Sequence, residues 1–166
     1  DTDSLAGKVE AVLTQCGHID VLINNAGVSQ RSLVKDTDLS VDRRIMEVDF
    51  FGPVALTKAV LPHMLTRGSG QLAVVSSVVG LVATPSRSAA KHAIAGFYDA
   101  LRAEVHDSGV RVSVIYPGFV RSNVSLSALT GTGDAHGQLD DKQATAMSSD
   151  EFARKAVAAL AGEEER

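Results

Sequence analysis

Three short runs rich in β-branched apolar residues constrain the fold of this chain more than any other feature. They span residues 19–23, 72–75 and 110–115, and each is followed by polar or turn-forming residues. Strands of this kind are typical of a parallel sheet that is covered on both faces. Apart from these runs, apolar residues recur at spacings of three and four, which predicts helices. The predicted helices span residues 4–16, 40–67, 88–106 and 150–161.

The alternation of helices and strands predicts an α/β fold with a parallel sheet and right-handed crossovers. Sheets of this type bind their ligands at the carboxyl ends of the strands. In this sequence those ends carry Asn24-Asn25-Ala26-Gly27, Ser76-Ser77 and Pro117-Gly118. We therefore expect a functional site where these three segments meet.

The composition excludes several functions. With 166 residues, 45% of them apolar, the chain is long enough for one domain with a core. A net charge of −4 without a basic stripe argues against a nucleic-acid partner. The single cysteine, Cys16, cannot form an intrachain disulfide, and the five histidines lack metal-ligand spacing, so we expect no metal. The apolar runs are far shorter than the roughly 20 residues that a membrane-spanning helix needs.

Two segments interrupt the regular pattern. Gly52-Pro53 lies inside the helix predicted over residues 40–67 and should bend or break it. Residues 121–148 are rich in serine, threonine, glycine and aspartate, so we expect a long mobile loop with at most one short helix. The inner face of the helix that follows this loop is predicted to consist of Phe152, Val157 and Leu160.

The strand-end segments, in this order, resemble the short-chain dehydrogenase/reductase family. The resemblance rests on Asn24-Asn25-Ala26-Gly27, Ser76-Ser77, Lys91 on the following helix, and residues 117–122. Residues 51–58 and 101–104 further resemble the branch of that family called member 7B. The resemblance implies the C-terminal part of a Rossmann fold, an NAD or NADP cofactor with NADP favoured, and hydride transfer between a carbonyl and an alcohol.

The same resemblance implies roles for individual residues. Ser77 would hydrogen-bond the substrate oxygen. Lys91 would bind the nicotinamide ribose and lower the pKa of a catalytic tyrosine, since a nearby ammonium favours the phenolate. Asn25 and Gly27 would also stabilise the sheet. The residues implied in cofactor binding are Asn25, Ala26, Gly27, Lys91, Pro117, Gly118, Val120 and Ser122.

The catalytic tyrosine of the family is missing from its expected place. The family pattern Tyr-x-x-x-Lys would put it four residues before Lys91, where the sequence has Arg87. The simplest explanation is a three-residue deletion between Ser88 and Lys91. Tyr98, two turns beyond Lys91, and Tyr116, beside a proline, are both expected to be structural.

Asp49 is a second departure, because the family usually has asparagine at this position. We count Asp49 among the catalytic candidates, with two interpretations open. Its carboxylate would pair with Lys91 and offset the effect of the ammonium on any phenol. Alternatively, Asp49 would only cap or bend the helix near Gly52.

The sequence shows no glycine-rich phosphate-binding turn before the run at residues 19–23. In a Rossmann sheet of order 3-2-1-4-5-6, this chain would supply strands 4, 5 and 6. We therefore expect residues 1–166 to form a single partial domain, with residues 121–148 as its substrate loop. The first strand would then expose an apolar edge, which favours aggregation.

Two functions follow as alternatives. The first is an NAD(P)-dependent oxidoreductase that acts on small carbonyl or alcohol compounds, including lipid-like ones, with this chain inactive by itself. The second is a non-catalytic module that forms homodimers through residues 40–67 and 88–106. We expect no nucleic-acid partner and a cytoplasmic location for this chain. The branch is associated with anchoring of its full-length members in the endoplasmic reticulum or peroxisomal membrane.

Overall fold

The main sheet is parallel and follows the chain order. A computed structural model describes residues 2, 4–82 and 89–162. Strands β1 (Val21–Asn24), β2 (Gly70–Val75) and β3 (Val110–Ile115) are neighbours in the order β1-β2-β3. Both pairings are parallel, which confirms the predicted α/β class.

Helices connect and flank these strands. In chain order they are α1 Leu5–Cys16, α2 Leu39–Met46, α3 Gly52–Arg67, α4 Ala89–Glu104, α5 Asp141–Ala144 and α6 Ser149–Ala161. Two short strands, β4 (Val120–Arg121) and β5 (Met147–Ser148), pair in parallel outside the main sheet. The predicted helix over residues 88–106 corresponds to α4, although Ser88 lies outside the described residues.

The helix predicted over residues 40–67 is interrupted where Gly52-Pro53 led us to expect it. A single π-helical turn, Glu47–Phe51, separates α2 from α3. Pro53 has no N–H to donate and is favoured in the first turn of a helix, where that N–H has no partner, so α3 begins anew at this point. The π turn carries Asp49 into the interior, where this residue is 3% exposed.

The hydrophobic core lies on one face of the sheet. Alternate residues of a strand share a face, and Leu72, Val74, Val112 and Val114 all point towards α1, α3 and α4. These side chains pack against residues of the three helices, including Val9, Val60, Met64, Ile94 and Tyr98. Truncating one of the large aliphatic side chains to alanine would cost about 2–5 kcal/mol.

The opposite face is covered by α6 only in part. The Gln71 side-chain amide donates to the Leu160 carbonyl at 3.2 Å, and Leu160 is buried as predicted. Val157 was predicted to face inward but is 57% exposed. That prediction is wrong because this part of α6 borders an open cleft instead of the sheet.

Strand β1 differs from the prediction that it would be buried on both faces. Val21 and Ile23 are 45% and 43% exposed, whereas Asn24 on the other face is buried. Within the described residues β1 pairs only with β2, so one edge of β1 is open, as the sequence led us to expect. Ile19, which we had included in the strand, precedes it and packs against the core.

The described helices are all too short or too polar to cross a bilayer.

Candidate active site

A cleft of about 1580 Å³ opens at the carboxyl ends of the three main strands. It is lined by segments that follow β1, β2 and β3, by the start of α4 and by α6. The structure brings all of the candidate site residues into its lining: Asn25, Ala26, Gly27, Asp49, Ser77, Lys91, Pro117, Gly118, Val120 and Ser122.

An ion pair lies inside this cleft. Lys91 Nζ is 3.3 Å from Asp49 Oδ2, and the same ammonium donates to the Val75 carbonyl at 3.3 Å. The Val28 N–H donates to Asp49 Oδ1 at 2.7 Å. The carboxylate therefore joins the π turn, the segment after β1 and α4. The structure has the pairing with Lys91 that the first interpretation predicted, whereas the carboxylate accepts from the Val28 N–H and caps neither helix end.

Burial has the largest effect on the pKa of Asp49 in this pair. Loss of solvent raises the pKa of Asp49 above its ordinary value, because the ionised form is costly away from water. The Lys91 ammonium and the Val28 N–H oppose that shift. Burial therefore sets the direction of the shift, while Lys91 and the Val28 N–H each contact one of the two carboxylate oxygens.

Ser77 lies at the end of β2 and is held by the turn that follows. Its Oγ accepts from the Val79 N–H at 3.4 Å and donates to the Pro117 carbonyl at 3.5 Å. Both contacts are long, so the hydroxyl can reorient towards a ligand. The Val78 N–H donates to the same Pro117 carbonyl at 3.0 Å, which ties the segment after β2 to the segment after β3.

Ser76 was not among our candidates, yet it supports Lys91. Its buried hydroxyl donates to the Lys91 carbonyl at 3.1 Å. This contact requires Gly80, because a Cβ there would lie 2.6 Å from Ser76 Oγ and 2.9 Å from the Lys91 carbonyl oxygen. The close approach of residues 78–80, which follow β2, to α4 thus depends on one glycine.

Asn25 and its neighbour Asn24 have different surroundings in this structure. Asn25 is exposed, whereas Asn24 is buried and donates to Tyr98 Oη at 2.7 Å and to Thr57 Oγ1 at 3.2 Å. The alternation of side chains along β1 explains the difference, because residue 24 faces the core helices. Asn25 keeps its predicted place in the cleft lining.

Neither tyrosine of the chain lines the cleft. Tyr98 is fully buried, and its hydroxyl contacts Asn24 and Thr57 in the core. Burial raises the pKa of Tyr98. Tyr116 packs against the hydrophobic core. Arg87 and the site of the inferred deletion after Ser88 lie outside the described residues.

The segment of residues 121–148 is not the mobile loop that we predicted. The Leu129 N–H donates to the Ser29 carbonyl and the Arg31 N–H donates to the Leu129 carbonyl, both at 2.8 Å. Ser125 and Ala128 are fully buried. The single short helix of the prediction is present as α5, but the backbone hydrogen bonds to residues 29–38 were missed, because such bonds leave no apolar periodicity in the sequence.

A second charged pair closes the outer wall of the cleft. Arg31 contacts the two carboxylate oxygens of Asp140 through Nε at 3.2 Å and Nη2 at 2.5 Å. Sequence reasoning missed both residues. They are 109 positions apart and belong to no motif, so only the folded chain brings them together.

The comparison with protein families gives a match to the family described as short chain dehydrogenase, over residues 1–131. The chain is 46% identical over 163 residues to Dehydrogenase/reductase SDR family member 7B of Danio rerio, covering 96% of this chain and 53% of that protein. It is 45% identical over 163 residues to the Bos taurus protein of the same name, covering 96% and 50%. The chain thus spans about half the length of the relatives that it matches.

Solved structures show the same fold. A short-chain dehydrogenase from Streptomyces avermitilis has a TM-score of 0.80 and 28% identity, covering 100% of this chain and 65% of that chain. ElxO with NADP bound has a TM-score of 0.70 and 26% identity, covering 72% and 50%. Xylitol dehydrogenase with NAD⁺ bound has a TM-score of 0.69 and 26% identity, covering 72% and 48%.

Proposed function

We propose that this chain, which belongs to the short-chain dehydrogenase/reductase family and resembles its member 7B branch, provides the substrate and nicotinamide side of an NAD(P)-dependent oxidoreductase. The reaction is hydride transfer between a carbonyl and an alcohol. One observation carries the proposal: the cleft at the strand ends gathers Ser77, Lys91 and Asp49 around one space. Parallel α/β sheets bind their ligands at this edge.

The residues of the cleft fit a nicotinamide. The wall formed by Ala26, Gly27 and Gly118 has little side-chain bulk, and a Cβ at Gly118 would meet no atom within 4 Å, so a flat ring has room beside the backbone. Lys91 offers an ammonium donor suited to ribose hydroxyls. When bound, the nicotinamide supplies or accepts the hydride. ElxO with NADP and xylitol dehydrogenase with NAD⁺ support this cofactor class, and we propose NADP as the preferred form.

The chain's own residues orient the substrate oxygen, and the proton that accompanies the hydride is exchanged with water, because neither Tyr98 nor Tyr116 lines the cleft. Ser77 Oγ donates to the substrate oxygen, and Lys91 provides positive charge beside it. The Asp49 carboxylate positions the Lys91 ammonium through their ion pair. We propose that turnover by this chain is slow, because Tyr98 is sealed in the core and cannot replace the tyrosine that Lys91 would assist.

The apolar part of the lining supports a substrate with a sizeable hydrocarbon portion, which agrees with the lipid-like compounds expected from the branch. A hydrocarbon chain entering this region would leave water at a gain of about 25 cal/mol per Å² of buried area. The apolar lining includes Val28, Val34, Ile45, Met46, Val78, Val79, Phe119, Val124 and Phe152.

Titration with NADPH and NADH, followed by their fluorescence, tests cofactor binding directly. We expect saturable binding that weakens in Lys91→Met, with Thr14→Ala on the exposed surface of α1 as a control. Turnover is then measured as NADPH oxidation with a medium-chain aldehyde. We expect Arg87→Tyr, which restores the Tyr-x-x-x-Lys spacing, to exceed the unmodified chain. Failure of both nucleotides to bind would contradict the proposal.

The second candidate function, an interaction module, is favoured by apolar residues on the outer surface of the π turn and α3. Phe51 and Leu65 are 46% and 42% exposed, and both belong to the predicted dimer segment of residues 40–67. Sedimentation velocity tests this proposal with Phe51→Ser/Leu65→Ser. Concentration-dependent dimers that dissociate in the variant would support it, and a monomer at all concentrations would exclude it.

A further inference from the structure

The charges of the cleft follow a consistent pattern. Among the described residues of its lining, the charged side chains are the cations Arg31 and Lys91 and the carboxylates Asp42, Asp49, Asp140 and Asp150. Each cation of this set is bound to a carboxylate: Lys91 to Asp49, and Arg31 to Asp140. The remaining two carboxylates leave the lining negative.

Arg31 is engaged on all sides. Its side chain is only 10% exposed. Besides the two contacts to Asp140, Nη1 donates to Ser29 Oγ at 2.7 Å and to the Gln30 carbonyl at 2.9 Å. A planar guanidinium matches one carboxylate in a bidentate pair. Because Asp140 occupies that position, a carboxylate group on a ligand would have to displace it.

We propose that the Arg31–Asp140 pair determines specificity, so that the cleft accepts neutral carbonyl or alcohol compounds and rejects compounds of the same size that carry a carboxylate. An anionic ligand meets net negative charge and finds both cations of the described lining already paired with carboxylates, and this repulsive element lowers its affinity relative to a neutral ligand. The inference rests on the proposed function only in taking this cleft as the substrate site. Arg31 is the group that a carboxylate would bind once Asp140 lost its charge.

Direct binding of two matched probes tests this inference without a cofactor. The probes are 2-octanone and octanoate, which share an eight-carbon chain, and binding is followed by NMR chemical-shift changes of the cleft amides. We expect 2-octanone to bind the unmodified chain at least about tenfold more tightly than octanoate, which corresponds to about 1.4 kcal/mol.

The decisive variant is Asp140→Asn, which keeps the side-chain shape but removes the charge. We expect octanoate affinity to rise about tenfold, the range of one charge-assisted hydrogen bond. Asp150→Asn is the matched control, because it removes an equal charge from the lining without releasing a cation, and we expect less than about a twofold gain. In Arg31→Gln/Asp140→Asn the gain should disappear. Melting temperatures verify that each variant is folded.

Several results would overturn the inference. Equal binding of both probes to the unmodified chain, no binding of 2-octanone, or no gain in Asp140→Asn would each contradict it. An equal gain in Asp150→Asn would show that net charge alone governs selection. Since neither hydride transfer nor nucleotide enters this measurement, failure of the NADPH titration would remove the proposed function and leave the probe result standing.

Discussion

Two polar pairs connect α4 to the helical region formed by the π turn and α3, but only one of these pairs lines the cleft. Thr57 of α3 and Tyr98 of α4 lie 2.7 Å apart in the sealed core. Asp49 of the π turn and Lys91 of α4 form the ion pair in the cleft, about two turns closer to the strand ends. Asn24 joins the core pair from β1, and the Val28 N–H joins the cleft pair just after it.

The difference between the pairs follows from the cost of burial. A neutral hydroxyl or amide can be buried at little net cost once it is hydrogen-bonded, whereas a charge carries a much larger desolvation penalty. The core therefore uses Asn24, Thr57 and Tyr98, which satisfy one another without charge. The ionic pair lies where the cleft keeps part of the Lys91 side chain exposed. The same helical regions thus hold a neutral hydrogen-bonded pair in the core and an ion pair in the cleft.

The largest effect is expected from breaking the cleft pair. Lys91→Met leaves the Asp49 carboxylate buried without its counter-charge, which should lower the free energy of unfolding by about 3 kcal/mol at pH 7. Urea unfolding measures this change. Asp49→Asn/Lys91→Met is the control, and it should recover most of the loss because no unpaired charge remains.

The pH dependence of Lys91→Met has a defined sign. The pKa of Asp49 is already raised by burial, and loss of the ammonium raises it further. The native state then binds a proton more tightly than the unfolded state, so the penalty grows as pH rises through the native pKa and is relieved on acidification. A loss at pH 5 as large as at pH 7 would contradict this account.

The next largest effect is expected at the support of Lys91. In Gly80→Ala the new Cβ would lie 2.9 Å from the Lys91 carbonyl oxygen, so residues 78–80 and α4 must separate slightly. We expect a loss of about 2 kcal/mol in the free energy of unfolding, typical of an overpacked site. Gly118→Ala is the control, since its Cβ meets nothing within 4 Å. Equal stability of both variants would show that the contact is relaxed in solution.

A smaller effect is expected in the core pair. Tyr98→Phe removes one hydroxyl and leaves Asn24 with its longer contacts to Thr57 and the Pro53 carbonyl. The loss should be about 1 kcal/mol, because one hydrogen bond of a satisfied network is removed. A double-mutant cycle with Thr57→Val separates the direct coupling of the two hydroxyls from other effects. No coupling would exclude a shared network.

The smallest effect is expected at high pH, where the ionisation of Tyr98 in the core pair lowers the free energy of unfolding. Burial raises the pKa of Tyr98, so the native state keeps the phenol proton after the unfolded state has lost it. Stability should therefore fall as pH rises above about 10, the ordinary pKa of tyrosine. Tyr98→Phe should show a shallower fall than the unmodified chain in urea unfolding at pH 9 and 11. Identical slopes would contradict this prediction.

Much of the fold, and part of the candidate site, could be predicted from local sequence patterns. The three strands, the break at Gly52-Pro53 and the gathering of Ser77 with Lys91 could be predicted, because strand period, proline geometry and strand-end placement depend on neighbouring residues. The pairing of Asp49 with Lys91 could be stated only as one of two alternatives. The sequence places these residues on separate helical segments, and the distance between them depends on how the π turn rotates Asp49 towards α4.

Other features required the tertiary structure. The burial of Asn24 and the exposure of Asn25 depend on which face of β1 meets the core helices. The ordered segment of residues 121–148 depends on hydrogen bonds to residues 29–38, and its pairing through Arg31 and Asp140 spans most of the chain. The sequence by itself determined which elements form and which strand ends carry polar chemistry. Only the packed structure decided which polar groups are sealed and which face the cleft, because burial is a property of distant segments brought together and not of local spacing.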